Sequence, residues 1–193
     1  MSSNYLQLPP DIPLIIKDIV TDVSDNLQGD LFELGVGIDY GVSFKHDTWK
    51  KIQEAIMVEK QDLDSRDRQY PMIMLIEDIQ QDVTDKDYNG VKARLDILIV
   101  CASKAEYRGE QRRLNSFVPI LRPIYAEFMT LLAKSMYIHG YLGRNGYYPH
   151  QYREMYNLGT NEGKTAYNLP DFLDGIEIRD LQLQFNNTSL ECS

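Results

Sequence analysis

The feature that most limits what this chain can fold into is the alternation Val91-Lys-Ala-Arg-Leu-Asp-Ile-Leu-Ile-Val-Cys101. Successive strand residues point to opposite sides of a sheet, so Val91, Ala93, Leu95, Ile97, Ile99 and Cys101 share one face, against Lys92, Arg94 and Asp96 on the other. One face is therefore buried and the other at least partly wet. The strand hands over to an amphipathic helix predicted from about Glu110 past Met129, whose apolar stripe includes Leu114, Phe117, Val118, Leu121, Ile124, Tyr125, Phe128, Met129 and Leu132. Pro119 and Pro123 fall inside it. A proline in a helix interior removes a hydrogen bond and crowds the preceding turn, at a cost of about 3 kcal/mol, which predicts a kink or two consecutive helices.

Other elements follow from period and punctuation. Ile12, Ile15, Ile16, Ile19, Val20, Val23 and Leu27 recur at helical steps, with Pro13 in the first turn and Gly29 placed to end the helix. Glu33 to Lys45 reads as an extended ribbon with glycines at bends. Asp47 or Thr48 caps a helix through Trp49, Ile52, Ala55 and Ile56, with the tryptophan in the core. Residues 60–69 hold a single apolar side chain and form a charged loop or arm. Tyr70-Pro-Met-Ile-Met-Leu-Ile-Glu-Asp-Ile79 reads as a strand covered on both faces or lying centrally in a sheet, and the Asn89-Gly90 turn is expected to return it antiparallel into the alternating strand. In the last apolar segment Ile176 and Ile178 are out of phase with Leu181, Leu183 and Phe185; a bulge near Arg179 or Asp180 restores one buried face. The expected fold is α+β, a small and mostly antiparallel sheet with helices packed on one face, in a single domain carrying long loop insertions at about 60–69 and 137–170.

The balance of charge excludes some functions. Twenty basic against 29 acidic residues give a net charge of −9 and a pI near 4.8, which argues against a phosphate-gripping surface as the main function. The densest basic group, Arg108, Arg112 and Arg113, reads as a solvated helix start. Two cysteines, Cys101 in a strand and Cys192 near the end, make no disulfide framework and fit reduced thiols. The amino-terminal residues have no leader pattern, and no membrane partner is expected. The glycosylation-like Asn186-Asn187-Thr188-Ser189 reads as a chance match in a polar tail.

Catalytic patterns are weak throughout. His46, His139 and His150 form no metal-spaced pair with one another or with a cysteine. Gly35-Val-Gly37 runs into Tyr40-Gly41-Val42-Ser43 instead of a helix, so it is no dinucleotide loop, and the chain has no phosphate-binding Gly-Lys-Ser/Thr loop. Ser103, Ser116 and Ser135 lack a nucleophile-elbow context. Asp82, Asp85 and Asp87 lack calcium-loop spacing and read as a solvated acidic loop. No cofactor is expected. An enzyme, the minor alternative, would use His139, His150 or Glu154, the last two standing four residues apart. A further alternative is a small cytoplasmic adaptor or binding module.

The least ordinary composition lies between Tyr137 and Tyr167, where tyrosines alternate with glycines. Tyrosine supplies a large contact area at low rotamer cost and keeps a hydroxyl for a partner. Tyr141, Tyr147, Tyr148 and Tyr152 are therefore the candidate subunit-contact residues, in a segment that reads equally as a long loop folded over its own domain, and Arg112 and Arg113 are secondary candidates outside it.

The order of an amino-terminal helix, the strand Tyr-Pro-Met-Ile-Met-Leu-Ile, the alternating strand Val-Lys-Ala-Arg-Leu-Asp-Ile-Leu-Ile-Val and a helix reading Phe-Val-Pro-Ile-Leu-Arg-Pro-Ile-Tyr resembles tailed-bacteriophage neck proteins, the tail-terminator and head–tail connector family. The resemblance covers about Ile12 to Met136 and the final strand. It implies a non-enzymatic virion subunit, assembled in the host cytoplasm as a homo-oligomeric ring that joins portal to tail. Its partners would be copies of itself and adjacent portal, connector or tail proteins, with DNA passing through without sequence-specific binding. An acidic lumen would repel phosphates and let the duplex slide. The insertions exceed a compact terminator, which leaves the position of the ring in the neck open.

Overall fold

The computed structural model describes residues 10–33, 41–61, 70–82, 91–139, 148–158 and 172–185. Helix α1 runs Ile12–Glu33, strand β1 Ser43–Asp47, helix α2 Trp49–Gln61, β2 Met72–Asp82 and β3 Val91–Ala102. A long helix follows in three pieces, α3 Gly109–Arg112, a π segment Arg113–Leu121 and α4 Arg122–Lys134. The strands β4 Ile138–His139, β5 Gln151–Leu158 and β6 Leu173–Phe185 complete the fold. They form one sheet in the order β1-β2-β3-β6, with β4 and β5 both paired to the far side of β6. Among the described residues only β1 with β2 is a parallel pairing. The expected α+β architecture with a mostly antiparallel sheet is what the chain adopts.

Local sequence explains the element boundaries. The Asp11 carboxylate accepts the Leu14 N–H at 3.2 Å, which caps α1. Gly29 does not stop the helix, which continues to Glu33; a glycine is tolerated inside a helix whose apolar face is already committed to packing. Gly41 turns the chain into β1 at φ +72°, and a Cβ there would lie 1.9 Å from Ser24 Oγ, the atom that accepts the Val42 N–H at 2.9 Å. Thr48 leads α2, its hydroxyl oxygen 3.5 Å from the Lys51 nitrogen, while Asp47 accepts the Thr48 N–H at 2.7 Å.

Both faces of the sheet are covered over part of its area. On the first, α1, the π segment and α4 lay Ile16, Val20, Phe117, Ile124, Phe128 and Leu132 over Ile73, Ala93, Leu95, Ile97, Ile99, Ile176 and Ile178. On the second, α2 places Ile52 and Ile56 over Met72, Met74, Leu98, Val100, Met155, Leu158 and Leu173, with Trp49 half-buried at the edge of that cluster. The long helices thus share one face as expected, and α2 adds a shorter cover on the other. β3 records the division: only odd positions are buried from Val91 to Leu95, and every position from Ile97 to Cys101.

The prolines produce neither a break nor two separate helices. Arg122 N–H bonds to the carbonyl of Phe117, five residues back, so the ladder widens where Pro119 supplies no donor, and Pro123 falls in the first turn of α4. By length and composition Gly109–Lys134 is apolar enough to cross a membrane. Here its stripe of Phe117, Ile120, Leu121, Ile124, Phe128 and Leu132 is buried against the sheet.

The bulge in β6 lies where the phase slip places it. Leu95 pairs with Leu181 and Ile97 with Ile178, so Arg179 and Asp180 together oppose Asp96. Asp180 takes φ +52°, and its N–H is accepted by Asp96 Oδ1 at 2.9 Å. The 137–170 segment is not loop throughout: Ile138–His139 and Gln151–Leu158 are strands on β6. The charged loop beyond Gln61 and the Asn89-Gly90 turn lie outside the described residues.

Candidate functional site

Two polar clusters stand out. The first joins the long helix to β5, an outer strand of the sheet. Tyr152, Glu154 and Tyr156 alternate onto the helix-covered face, because Tyr152 and Glu154 pair with Ile178 and Ile176. Arg122 Nε donates to Glu154 Oε1 at 2.8 Å, and the Tyr152 hydroxyl donates to the same oxygen at 2.9 Å. The hydrogen bond from Arg122 holds the Glu154 carboxyl below the usual carboxylate range. Burial first, then the Glu154 carboxylate, pushes the Tyr152 phenol up to about 12. Tyr125 stacks edge-on to Tyr152 at 5.0 Å between centroids, and Phe117 meets Tyr156 at 4.6 Å.

His150 belongs to this cluster in a structural capacity. Its Nδ1 lies 2.7 Å from the Tyr148 carbonyl, which can only accept, so that nitrogen carries the proton. Nε2 is hydrogen-bonded to the Tyr125 hydroxyl at 2.8 Å. Both ring nitrogens are occupied by the protein. A strand advances about 3.3 Å per residue, so His150 and Glu154 are separated along the chain by about 13 Å instead of meeting as they would across one helical turn. His139 lies in β4 by its backbone.

The second cluster is buried. Arg112 is 2 % exposed and Asp174 fully enclosed, and the guanidinium donates to Asp174 Oδ1 at 2.7 Å. Three further donors of Arg112 are used on Ser103 Oγ, the Lys104 carbonyl and the Tyr107 carbonyl at 2.8 to 3.0 Å. Ser103 in turn donates to Asp174 Oδ2 at 2.7 Å. A cleft of about 460 Å³ opens next to this network, lined by Tyr70, Ser103, Lys104, Tyr107, Asn115 and Ser116 among others. The Ser103 proton points at a carboxylate already neutralised by arginine, with no histidine in the lining, so the hydroxyl is not activated as a nucleophile. Burial, and then the Asp174 charge, push the Cys101 thiol far up, which makes it inert. Among the described residues no group of three or more His, Cys, Asp or Glu side chains is placed to hold a metal ion.

The candidate contact residues separate accordingly. Tyr141 and Tyr147 lie outside the described residues. Tyr148 is core, 8 % exposed, because it leads into β5 where the strand docks against the helices. Tyr152 remains 42 % exposed on the outer strand. Arg112 is no contact residue, being consumed by Asp174, whereas Arg113 is exposed. Sequence reasoning missed Arg122, Tyr125 and Tyr156; the available signal was the alternation of Tyr152, Glu154 and Tyr156, hidden by the glycines around it. Comparison with known protein families, curated proteins and solved structures finds no match for this chain.

Proposed function

We propose that this chain is a structural subunit of a bacteriophage head–tail connector, similar to a tail terminator, that assembles with copies of itself into a ring around the DNA passage. The observation that carries this reading is the outer strand β5, whose exposed Tyr152 and Tyr156 are held rigid by Tyr125, Phe117 and the Arg122–Glu154 pair. Rigid aromatic side chains on an outer strand lose little entropy on association and suit contact between subunits. The helix, strand and proline-containing helix of the resemblance all exist as elements in the expected order. The observed polar networks fasten elements to each other, which agrees with a protein whose work is shape.

The test is native mass spectrometry and light scattering on the full chain over a concentration series, with negative-stain microscopy of the largest species. A closed ring supports the reading. A chain that is monomeric alone and stays so with tail or portal proteins present overturns it. A binding-module reading rests on the cleft beside Ser103, and saturable binding of a small molecule there, abolished by Ser116→Leu in a folded protein, would favour it instead.

A further inference from the structure

The cleft beside the Arg112–Asp174 network differs in charge from the chain that forms it. Acidic residues outnumber basic ones by 29 to 20 in the whole sequence, yet among the described residues that line the cleft none is a carboxylate, and Lys104 carries the one formal charge. The cleft's volume, about 460 Å³, is that of a site able to enclose a small molecule. Its buried polar groups are already engaged. Ser103 Oγ donates to Asp174 and accepts from Arg112, and Ser116, 1 % exposed, is hydrogen-bonded to Cys101. The Arg112 guanidinium holds Asp174, so its charge is not available to a ligand.

The outer polar groups are not engaged. Lys104 is exposed, its ammonium lies 5.6 Å from the centre of the Tyr107 ring, and among the described residues it makes no ion pair. Tyr107 is tied down by its backbone alone: its N–H donates to the Lys104 carbonyl at 3.2 Å and its carbonyl accepts from Arg112 at 2.8 Å, while its hydroxyl has no hydrogen bond among the described residues. Asn115 is oriented by donating Nδ2 to the Gln111 carbonyl at 2.6 Å, which leaves Oδ1 as an open acceptor. Beside these groups the wall is aromatic and aliphatic, from Tyr70, Pro71, Ala102 and Ile120.

We infer that this cleft binds a small aromatic carboxylate, with its charge on Lys104 and the Tyr107 hydroxyl and its ring against Tyr70, Pro71 and Ile120. One ammonium balances one negative charge, which suits a carboxylate. A phosphate calls for several charge-assisted donors, and the guanidinium that could supply them is committed to Asp174. A flat ring fits a wall of rings and aliphatic carbon, and few polar groups suffice to orient it. This inference rests on the same cleft as the binding-module reading and gives that reading its ligand class, whatever the assembly state of the chain.

The test is a titration of the full-length protein, followed by nuclear magnetic resonance, with cinnamate and with its uncharged amide. Cinnamate should bind saturably, and the amide about tenfold more weakly. Lys104→Met should bring cinnamate down to the affinity of the amide, Ala102→Trp should fill the cleft and abolish both, and Lys134→Met, far along α4, should change neither. All three positions are exposed, so circular dichroism and thermal unfolding should match the parent chain. Equal affinity for cinnamate and the amide, unchanged in Lys104→Met, overturns the carboxylate assignment and leaves the binding-module reading standing. Cinnamate binding that survives Ala102→Trp lies elsewhere and also overturns the inference. A parent chain that binds neither compound overturns it as well, and one in which no member of a fragment library occupies the cleft overturns the binding-module reading with it.

Discussion

Arg112 and Asp174 are the side chains on which the junction between β3, α3 and β6 depends. Removing one member of a buried pair leaves an uncompensated charge, so Asp174→Ala should cost about 3 to 5 kcal/mol in urea unfolding, whereas Arg112→Met combined with Asp174→Leu should cost much less. Asp180 holds a left-handed backbone that a side chain tolerates poorly; Asp180→Ala should be less stable than Asp180→Gly by about 1 kcal/mol in the same assay. Titration offers a third handle. The Glu154 carboxyl is depressed in the folded chain, so its contribution is present above the ordinary carboxylate range and is lost as pH falls through its folded value. Between about pH 6 and pH 3 the parent should therefore lose more stability than Glu154→Gln. Tyr152 is raised to about 12, so its contribution is present below the free phenol value and fades as pH climbs through the raised one. In an ultraviolet absorbance titration one late-ionising tyrosine should disappear in Tyr152→Phe.

Whole strands and helices show which signals a sequence can carry. β3 was legible because one of its faces is buried along its full length, and the β6 bulge because a bulge is the standard way for two out-of-phase apolar runs to share one core. β5 was not. As an outer strand it buries only Met155 and Leu158 strongly, and its tyrosines are partly exposed, so no apolar face of period two marks it. The helix with Pro119 and Pro123 was legible as an apolar stripe, but sequence period does not distinguish a kink from a widened ladder, since both relieve a missing donor. The polar clusters were the least legible feature. Arg112 looks identical in sequence to its exposed neighbour Arg113, and only the burial of Asp174, brought from 62 residues away, separates them.

For the molecule as a whole, the arrangement of charge matters more than its sum. Within a net −9, Arg94, Arg153 and Arg179 on the open end of the second sheet face each pair with Asp180 or Glu177, while Asp18, Asp22 and Asp25 line the outer side of α1. Chain order adds a second asymmetry. β6, the last strand, lies inside the sheet with β3 on one side and β4 and β5 on the other. A chain ending at residue 172 should therefore expose the apolar margins of both β3 and β5 and collect in insoluble aggregates, measured as the soluble fraction on expression. During synthesis the sheet cannot close until the ribosome has released Phe185, so the margins of β3 and β5 stay bare until then.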